Sequence, residues 1–332
     1  MMRLLTWNLR FDSQPDDISV TETLESLPDP LSAPEFMRRR HEQPWSARRI
    51  RVAQEIRGSG VVVIGFQEAL LRQVRDLKEL LGDEWDWVGV GRDDGKEGGE
   101  FGPIFYNIKH LKLEESDTFW LSDTPFKPSR YPSAGSFRIA TVARLSVIPG
   151  NSISATGERA FIFINTHLDE RSEGQRELGA SLILHRARYE ASKVQDHASA
   201  VIVVGDFNSE QTGSDSGAYR ILTGVTLPKA IPLPFKEKFP IPDDHLRDFT
   251  MSDFLGATPR LDVSGYFRTF TGFEEPLGMK RGGRIDYVLG GSNGGWAARR
   301  YRTGSTITDD GMLASDHRPV FVDLELVTSS PK

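Results

Sequence analysis

VVVIGF, Val61 to Phe66, followed at once by Gln67 and Glu68, is the stretch on which the reading of this chain turns. An unbroken apolar run has no wet face. It therefore reads as a strand covered on both sides, with the polar pair delivered to a sheet edge. The same design recurs outward along the chain. Leu4–Leu9 carries Asn8 near its end, Phe161–Thr166 (FIFINT) closes on His167, and Ala200–Val204 (AVIVV) leads through Gly205 to Asp206 and Asn208. Ile285–Leu289 begins around Asp286, and Val320–Leu326 follows Asp316 and His317. Between them Ala47–Arg57, Leu70–Leu81 and Gly174–Val194 read as amphipathic helices. The last is opened by Ser172 with Gln175 three residues on, a capping-box pattern. Short covered strands interrupted by helices give the class α/β (α+β).

Three segments read as surface loops. Residues 12–44 are acidic, rich in Pro and Ser, and end in Arg38–Arg39–Arg40–His41, which predicts a long, partly mobile surface insertion. Gly89–Pro103, rich in glycine and charge, reads as a mobile rim over the site, and Pro228–Asp244 as an extended crossing. The Gly89 loop is not a dinucleotide fingerprint, because Asp94 stands at the third glycine position. It is not a phosphate-binding Walker loop either, because no GxxxxG spacing precedes Lys96. Arg48, Arg49 and Arg51 read with the Arg38 run as a solvated helix face. No internal repeat and no dividing linker appear, so residues 1–332 read as one domain.

Composition excludes several chemistries. Cysteine is absent, which removes disulfides, thiolate metal sites and cysteine nucleophiles. The 41 basic and 47 acidic residues leave a net charge of −6. A protein gripping long nucleic acid non-specifically ordinarily carries a basic surplus, so this balance leans towards a small or locally bound phosphate. No apolar run approaches the ~20 residues of a membrane helix, and no signal-peptide pattern opens the chain. The expectation is a cytoplasmic protein without integral membrane association.

The polar residues at the strand ends form a set suited to phosphoryl chemistry, although each alone also reads as a turn or cap residue. Glu68 and Asp316 offer hard carboxylates for Mg²⁺ or Mn²⁺, and Asn8 a neutral amide beside them. Asp206 and Asn208 alternate along the chain, which in an extended segment puts both on one side, where they could orient and deprotonate a water. A histidine paired with a carboxylate, such as His317 with Asp286, is favoured in its protonated form and could bond a phosphate oxygen. Tyr106, Arg138 and Arg171 are further candidates for phosphate contact.

Six motifs stand in order: Thr6–Trp7–Asn8, Gly65–Phe66–Gln67–Glu68, Asn165–Thr166–His167–Leu168, Gly205–Asp206–Phe207–Asn208, Arg284–Ile285–Asp286–Tyr287 and Ser315–Asp316–His317–Arg318–Pro319. With them the chain resembles the endonuclease/exonuclease/phosphatase superfamily, which includes DNase I-like nucleases, deadenylases, neutral sphingomyelinases and inositol-polyphosphate phosphatases. The stretch from Gly91 through Tyr106 is similar to a bacterial and fungal subgroup of poorly defined substrates. The resemblance implies a four-layer α/β/β/α sandwich of two mixed sheets. It implies Glu68 as principal metal ligand with Asn8 and Asp316 close by, and Asp206 and Asn208 positioning or activating the attacking water. Asp286 would support His317 at the scissile phosphate, and His167 would act at the phosphate or leaving group.

The function expected is a Mg²⁺- or Mn²⁺-dependent phosphodiester hydrolase, a nuclease or nucleotide phosphodiesterase, acting on a phosphate ester that includes nucleic acid or nucleotide. The lean towards bases comes from Trp120, Tyr131 and Phe137 beside Arg130 and Arg138, which suit base stacking. A phosphatase or phospholipase C-type enzyme on inositol-phosphate or lipid head groups is the alternative. A catalytically silent binding or scaffold protein is the alternative of another class.

Overall fold

Leu4 and Leu5 point to opposite faces of one strand, and both faces are covered. This alternation, repeated in strand after strand, builds the molecule. The computed structural model describes residues 1–39, 41–150, 159–193, 200–242, 244–274 and 283–327. In chain order the strands are β1 (Met2–Asn8), β2 (Val63–Gln67), β3 (Trp85–Val88), β4 (Ile104–Asn107), β5 (Leu111–Trp120), β6 (Ile139–Val147) and β7 (Ala160–His167). They continue with β8 (Ala200–Asp206), β9 (Met251–Asp253), β10 (Val263–Gly265), β11 (Asp286–Gly291), β12 (Trp296–Thr303) and β13 (Val320–Leu326). One mixed sheet runs β10-β12-β13-β1-β2-β4-β3 and the other β5-β6-β7-β8-β11-β9.

Three apolar layers follow from the side-chain alternation. Leu4, Val63, Phe161, Phe163, Ile202, Val204 and Val322 meet between the sheets. Leu5, Ile64 and Phe66 face outward to α2 (Trp45–Ser59) and α3 (Leu71–Leu81) through Val52, Ile56, Val74 and Leu77. Ile162, Ile164, Val201 and Val203 face outward on the other sheet to α4 (Glu173–Ser192), through Leu182, Ile183 and Ala187. The result is the expected α/β/β/α sandwich. The three predicted helices are present, shifted by one or two residues at their ends; Val194, the expected end of the last, lies outside the described residues. Among the described residues, no helix is long and apolar enough to cross a membrane.

Several local expectations need correcting. At the start of α4, Ser172 Oγ accepts from Gln175 N at 3.1 Å, but the Gln175 side chain turns away to Asp169 N and Leu121 O, so only half a capping box forms. The 12–44 segment contains a helix, α1 (Val20–Glu25), and is tied down: Arg72 reaches Asp12 and Asp16, and Met37 and Arg39 bond the backbone of Asp309 and Asp310. Arg40 of the basic run lies outside the described residues. Arg48 and Arg49 are not a solvated face; both side chains are fully buried. Arg48 donates to five carbonyls, those of Gln43, Leu9, Ala314, Arg10 and Phe11. A delocalised guanidinium with a fixed fork of donors suits such a clamp. The Gly89 loop is also bound to itself, through Gly91 N to Lys96 O, Arg92 N to Glu100 O and Asp93 N to Gly98 O, rather than left as a free rim.

Candidate active site

Strand direction brings the polar ends together. β7 and β8 are parallel and β11 antiparallel to β8, so His167, Asp206 and Asp286 stand in register across three neighbouring strands. In the other sheet β1 and β2 are parallel, which puts Asn8 beside Gln67 with Glu68 next. The two edges coincide because Gly65 lets the sheets approach: a Cβ there would meet Asn165 Oδ1 at 2.7 Å. Asn165 crosses the gap, donating to Phe66 O and Pro103 O and accepting from Gln67 Nε2. Gly205 is needed for another reason. Its φ is +146° and a Cβ would sit 1.9 Å from Thr166 O.

At that edge Asn8 Nδ2 donates to Glu68 Oε1 and to Asp206 Oδ2, both at 3.0 Å, while its Oδ1 accepts from Arg10 N. Asn8 thus joins the two carboxylates through its nitrogen. Glu68 (φ 59°) and Asn208 (φ 45°) both adopt left-handed backbone, a conformation that costs a non-glycine residue roughly 1–3 kcal/mol and clusters at functional sites. Asn208 is therefore not in the extended segment expected. It closes a turn in which its N–H bonds Asp206 Oδ1 at 2.9 Å.

His317 Nδ1 lies 2.9 Å from Asp286 Oδ2, and the ring packs on Phe270. Burial disfavours charge on this ring, but Asp286 and then Asp206 outweigh it and hold the imidazole well above its usual range, protonated at neutral pH. His167 goes the other way. Burial first, then Arg138 and Arg92, push it well below, so it is neutral. Asn208 Nδ2 donates to Leu168 O at 3.0 Å, which fixes the amide, and meets His167 Nε2 at 3.1 Å. Nε2 therefore accepts, and His167 carries its proton on Nδ1. Asp206, buried between Asp286 and the histidines, is pushed up to about 7 by burial and by the Asp286 charge.

The cluster can hold a metal ion: among the described residues Glu68, His167 and Asp206 bring ligand atoms within 4.8 Å of one another, and so do Asp206, Asp286 and His317. Burial, and the charge of Glu68, raise the Asp316 carboxyl, a strain that a cation would relieve.

Not every candidate joins this cluster. Tyr106 pairs with Val63 at the opposite end of β2 from Glu68, packs in the inter-sheet core and reaches Asp86 at 3.4 Å. Arg171 is exposed, with a side chain 76% accessible, and pairs with Glu170. Arg138 does line a cavity with Glu68 and His167, held by Asp169 at 3.3 Å and by Glu170. Sequence reading passed over Arg92 and Glu100, which line the same cavity and pair at 2.5 Å. Their only signal was charge in a glycine-rich loop.

Sandwich and site together define a hydrolase of phosphate esters. The chain matches the endonuclease/exonuclease/phosphatase family over residues 5–317 and belongs to it. It superposes on an endonuclease/exonuclease/phosphatase of Bacteroides vulgatus with a TM-score of 0.72 and 28% identity, covering 98% of this chain and 99% of that one. It shares its fold with a mannosyl-6-phosphatase of Bacteroides thetaiotaomicron (TM-score 0.68, 23% identity, 98% and 99% covered). It shares it also with the human nocturnin catalytic domain (0.60, 16%, 98% and 94%). No curated protein sequence matches the chain.

Proposed function

We propose that the protein hydrolyses a phosphate ester by attack of water on phosphorus, with Asp206 as the group that takes the proton. The observation that carries this is Asp206 itself, a carboxylate with its proton affinity brought near neutrality and set within 3.6 Å of both histidines. Asn208 holds the turn that aims Asp206. Protonated His317, backed by Asp286, bonds a non-bridging phosphate oxygen, and His167 offers its Nδ1–H on the leaving-group side. Glu68 and Asp316, with Asn8 beside them, would hold Mg²⁺ or Mn²⁺, which supplies charge neutralisation and polarisation of the phosphoryl group. The oxygen–phosphorus bond to water forms and the ester P–O bond breaks. Its electron pair leaves on the alcohol oxygen, which takes up a proton from solvent, and Asp206 returns its own proton to solvent.

A nuclease or nucleotide phosphodiesterase is the second reading. Two of the three aromatics that first pointed to it are turned to other work: Trp120 is buried and donates to Arg92 O, and Tyr131 packs on the outer core, whereas Phe137 lines the cavity beside Arg138 and His167. Another pair favours it instead. Tyr266 and Phe267 are exposed, on the segment that leads to Phe270 under His317, and Arg318 lies 3.6 Å over the Tyr266 ring.

The test is turnover with Mg²⁺, Mn²⁺ or chelator against single-stranded DNA, RNA, nucleotides, sugar phosphates, inositol phosphates and sphingomyelin. Wild type should act on one class only with metal, and Glu68→Gln and His317→Ala should each lose about 10²–10⁴-fold. Turnover unaffected by chelator and by both substitutions would refute the assignment.

A further inference from the structure

On α4, Ser181, Leu184, His185 and Arg188 follow the spacing of a single helix face, and all four line one cavity. Leu182, Ile183 and Ala187 take the other side and pack on the sheet. The cavity holds about 450 Å³, within the roughly 300–1,000 Å³ of small-molecule sites. Ile221 of α5 (Gly217–Leu222) closes it on one side, and Leu227 and Ile231 of the following segment on another. That segment, Pro228–Asp244, is not extended throughout, since α6 (Leu233–Lys238) lies inside it and adds Lys236 to the wall. The cavity shares no lining residue with the one beside His167. It sits roughly 12–22 Å along α4 from Glu173, the end of the helix that follows His167.

Two properties of the wall decide what it takes. One is apolar surface left open to water. Leu227 is 86% exposed and Val225, two residues earlier, 62%, above a buried floor of Leu184, Ile221 and Phe249. Exposed apolar side chains grouped at the mouth of a cavity mark a binding surface. The other is charge. The chain carries a net −6, yet the lining sets Arg188, Lys229, Lys236 and Arg247 against Asp248. Lys229 pairs with Glu177 at 3.1 Å and Arg247 meets Asp244 at 4.0 Å. Among the described residues, no carboxylate pairs with Arg188 or Lys236. Arg188 gives Nε and Nη2 to His245 O, which holds its fork in place and leaves Nη1 over. Both cations act on one spot. Burial first, then Lys236 and Arg188, push the His185 ring below its usual range, although Phe239 O pulls it up.

We propose that this cavity binds a small amphipathic anion, an apolar body carrying one carboxylate-, phosphate- or sulfonate-type head. The body lies on Leu184, Ile221, Leu227 and Phe249, and the head meets Arg188 and Lys236. A neutral apolar molecule would leave the two cations unmet, and an inorganic anion would leave the apolar surface wet. Size sets the upper bound. At the ~30 Å³ that one water fills in the liquid, the cavity has room for about fifteen heavy atoms. The site is independent of the hydrolysis proposed above.

The experiment loads the protein with anilinonaphthalene sulfonate, whose fluorescence reports an apolar site, and displaces the dye with octanoate, octanol or octylammonium. Octanoate should act at a concentration about tenfold or more below octanol, and octylammonium should be the weakest of the three. Added salt should weaken octanoate and leave octanol unchanged. Arg188→Gln combined with Lys236→Gln should weaken octanoate by about tenfold without affecting octanol, whereas Leu227→Ser should weaken both by about threefold. Thermal melting checks the fold, and both variants should keep wild-type turnover of any phosphate ester. Equal displacement by octanoate and octanol would overturn the proposal, as would unchanged octanoate binding in the doubly substituted protein. Binding of an oligoglutamate peptide or of phosphatidylserine vesicles in place of octanoate would also overturn it, in favour of a protein or a membrane contact. None of these readouts depends on catalysis, so a failure here leaves the hydrolase assignment standing.

Discussion

His167 and His317 each bring Nε2 to 3.6 Å from the same oxygen of Asp206, yet one ring is neutral and the other charged. Both are buried, so burial pulls both towards the neutral form. What differs is the neighbour behind the ring. His317 has Asp286 at 2.9 Å on its far nitrogen. His167 has Arg138 and Arg92 nearby instead, and its far nitrogen is unpartnered. At such distances, with little water to screen them, one charge of either sign decides the outcome. In the mechanism proposed above, one residue type thus serves two tasks: a cation for the phosphate and a neutral donor for the leaving group.

The largest effects come from breaking this asymmetry. Asp286→Asn should leave His317 without its anion and lower kcat by about 10²–10⁴-fold. His167→Ala removes only a neutral hydrogen bond and should cost about 10–10²-fold, so that steady-state kinetics rank the two. Losses of equal size would mean that the rings are interchangeable.

A middle-sized effect concerns how the charged side is held. Arg48 ties the loop after β1 to the loop before β13, and so sets Asn8 and Asp316 relative to each other. Burial brings its guanidinium down to about 10, still charged at neutral pH. Arg48→Met should leave buried carbonyls unpaired and cost about 3 kcal/mol, read as a lower urea midpoint at unchanged slope. A loss under about 0.5 kcal/mol would show that water can replace the clamp.

The smallest effect is spectroscopic. In metal-free protein at pH 7, ring ¹⁵N shifts should report His317 protonated on both nitrogens and His167 as the Nδ1–H tautomer. Asn208→Gly relieves the left-handed backbone but removes the amide that fixes this tautomer, and should let His167 exchange between its two neutral forms. A doubly protonated His167 would contradict the reading of its arginine neighbours.

The sequence by itself determined the strands and what stands at their ends. Unbroken runs such as VVVIGF have no solvated face, so they demand cover on both sides, and a polar residue after such a run has only the sheet edge to occupy. That much put Glu68, His167 and Asp206 at a sheet edge, and the same argument at the start of a run put Asp286 and His317 there. Contacts between residues far apart in the chain were decided by the tertiary structure alone. Tyr106 was misplaced because β4 runs antiparallel to β2, which carries each residue after Ile104 further from Glu68. Arg48 and Arg49 looked solvated because carbonyls from distant segments, and Asp76, satisfy them, and no local pattern records that. The states of the two histidines follow the same logic. Local sequence fixes which groups titrate, but the field that sets their protonation comes from charges delivered by other strands and loops, which only folding brings within a few ångströms.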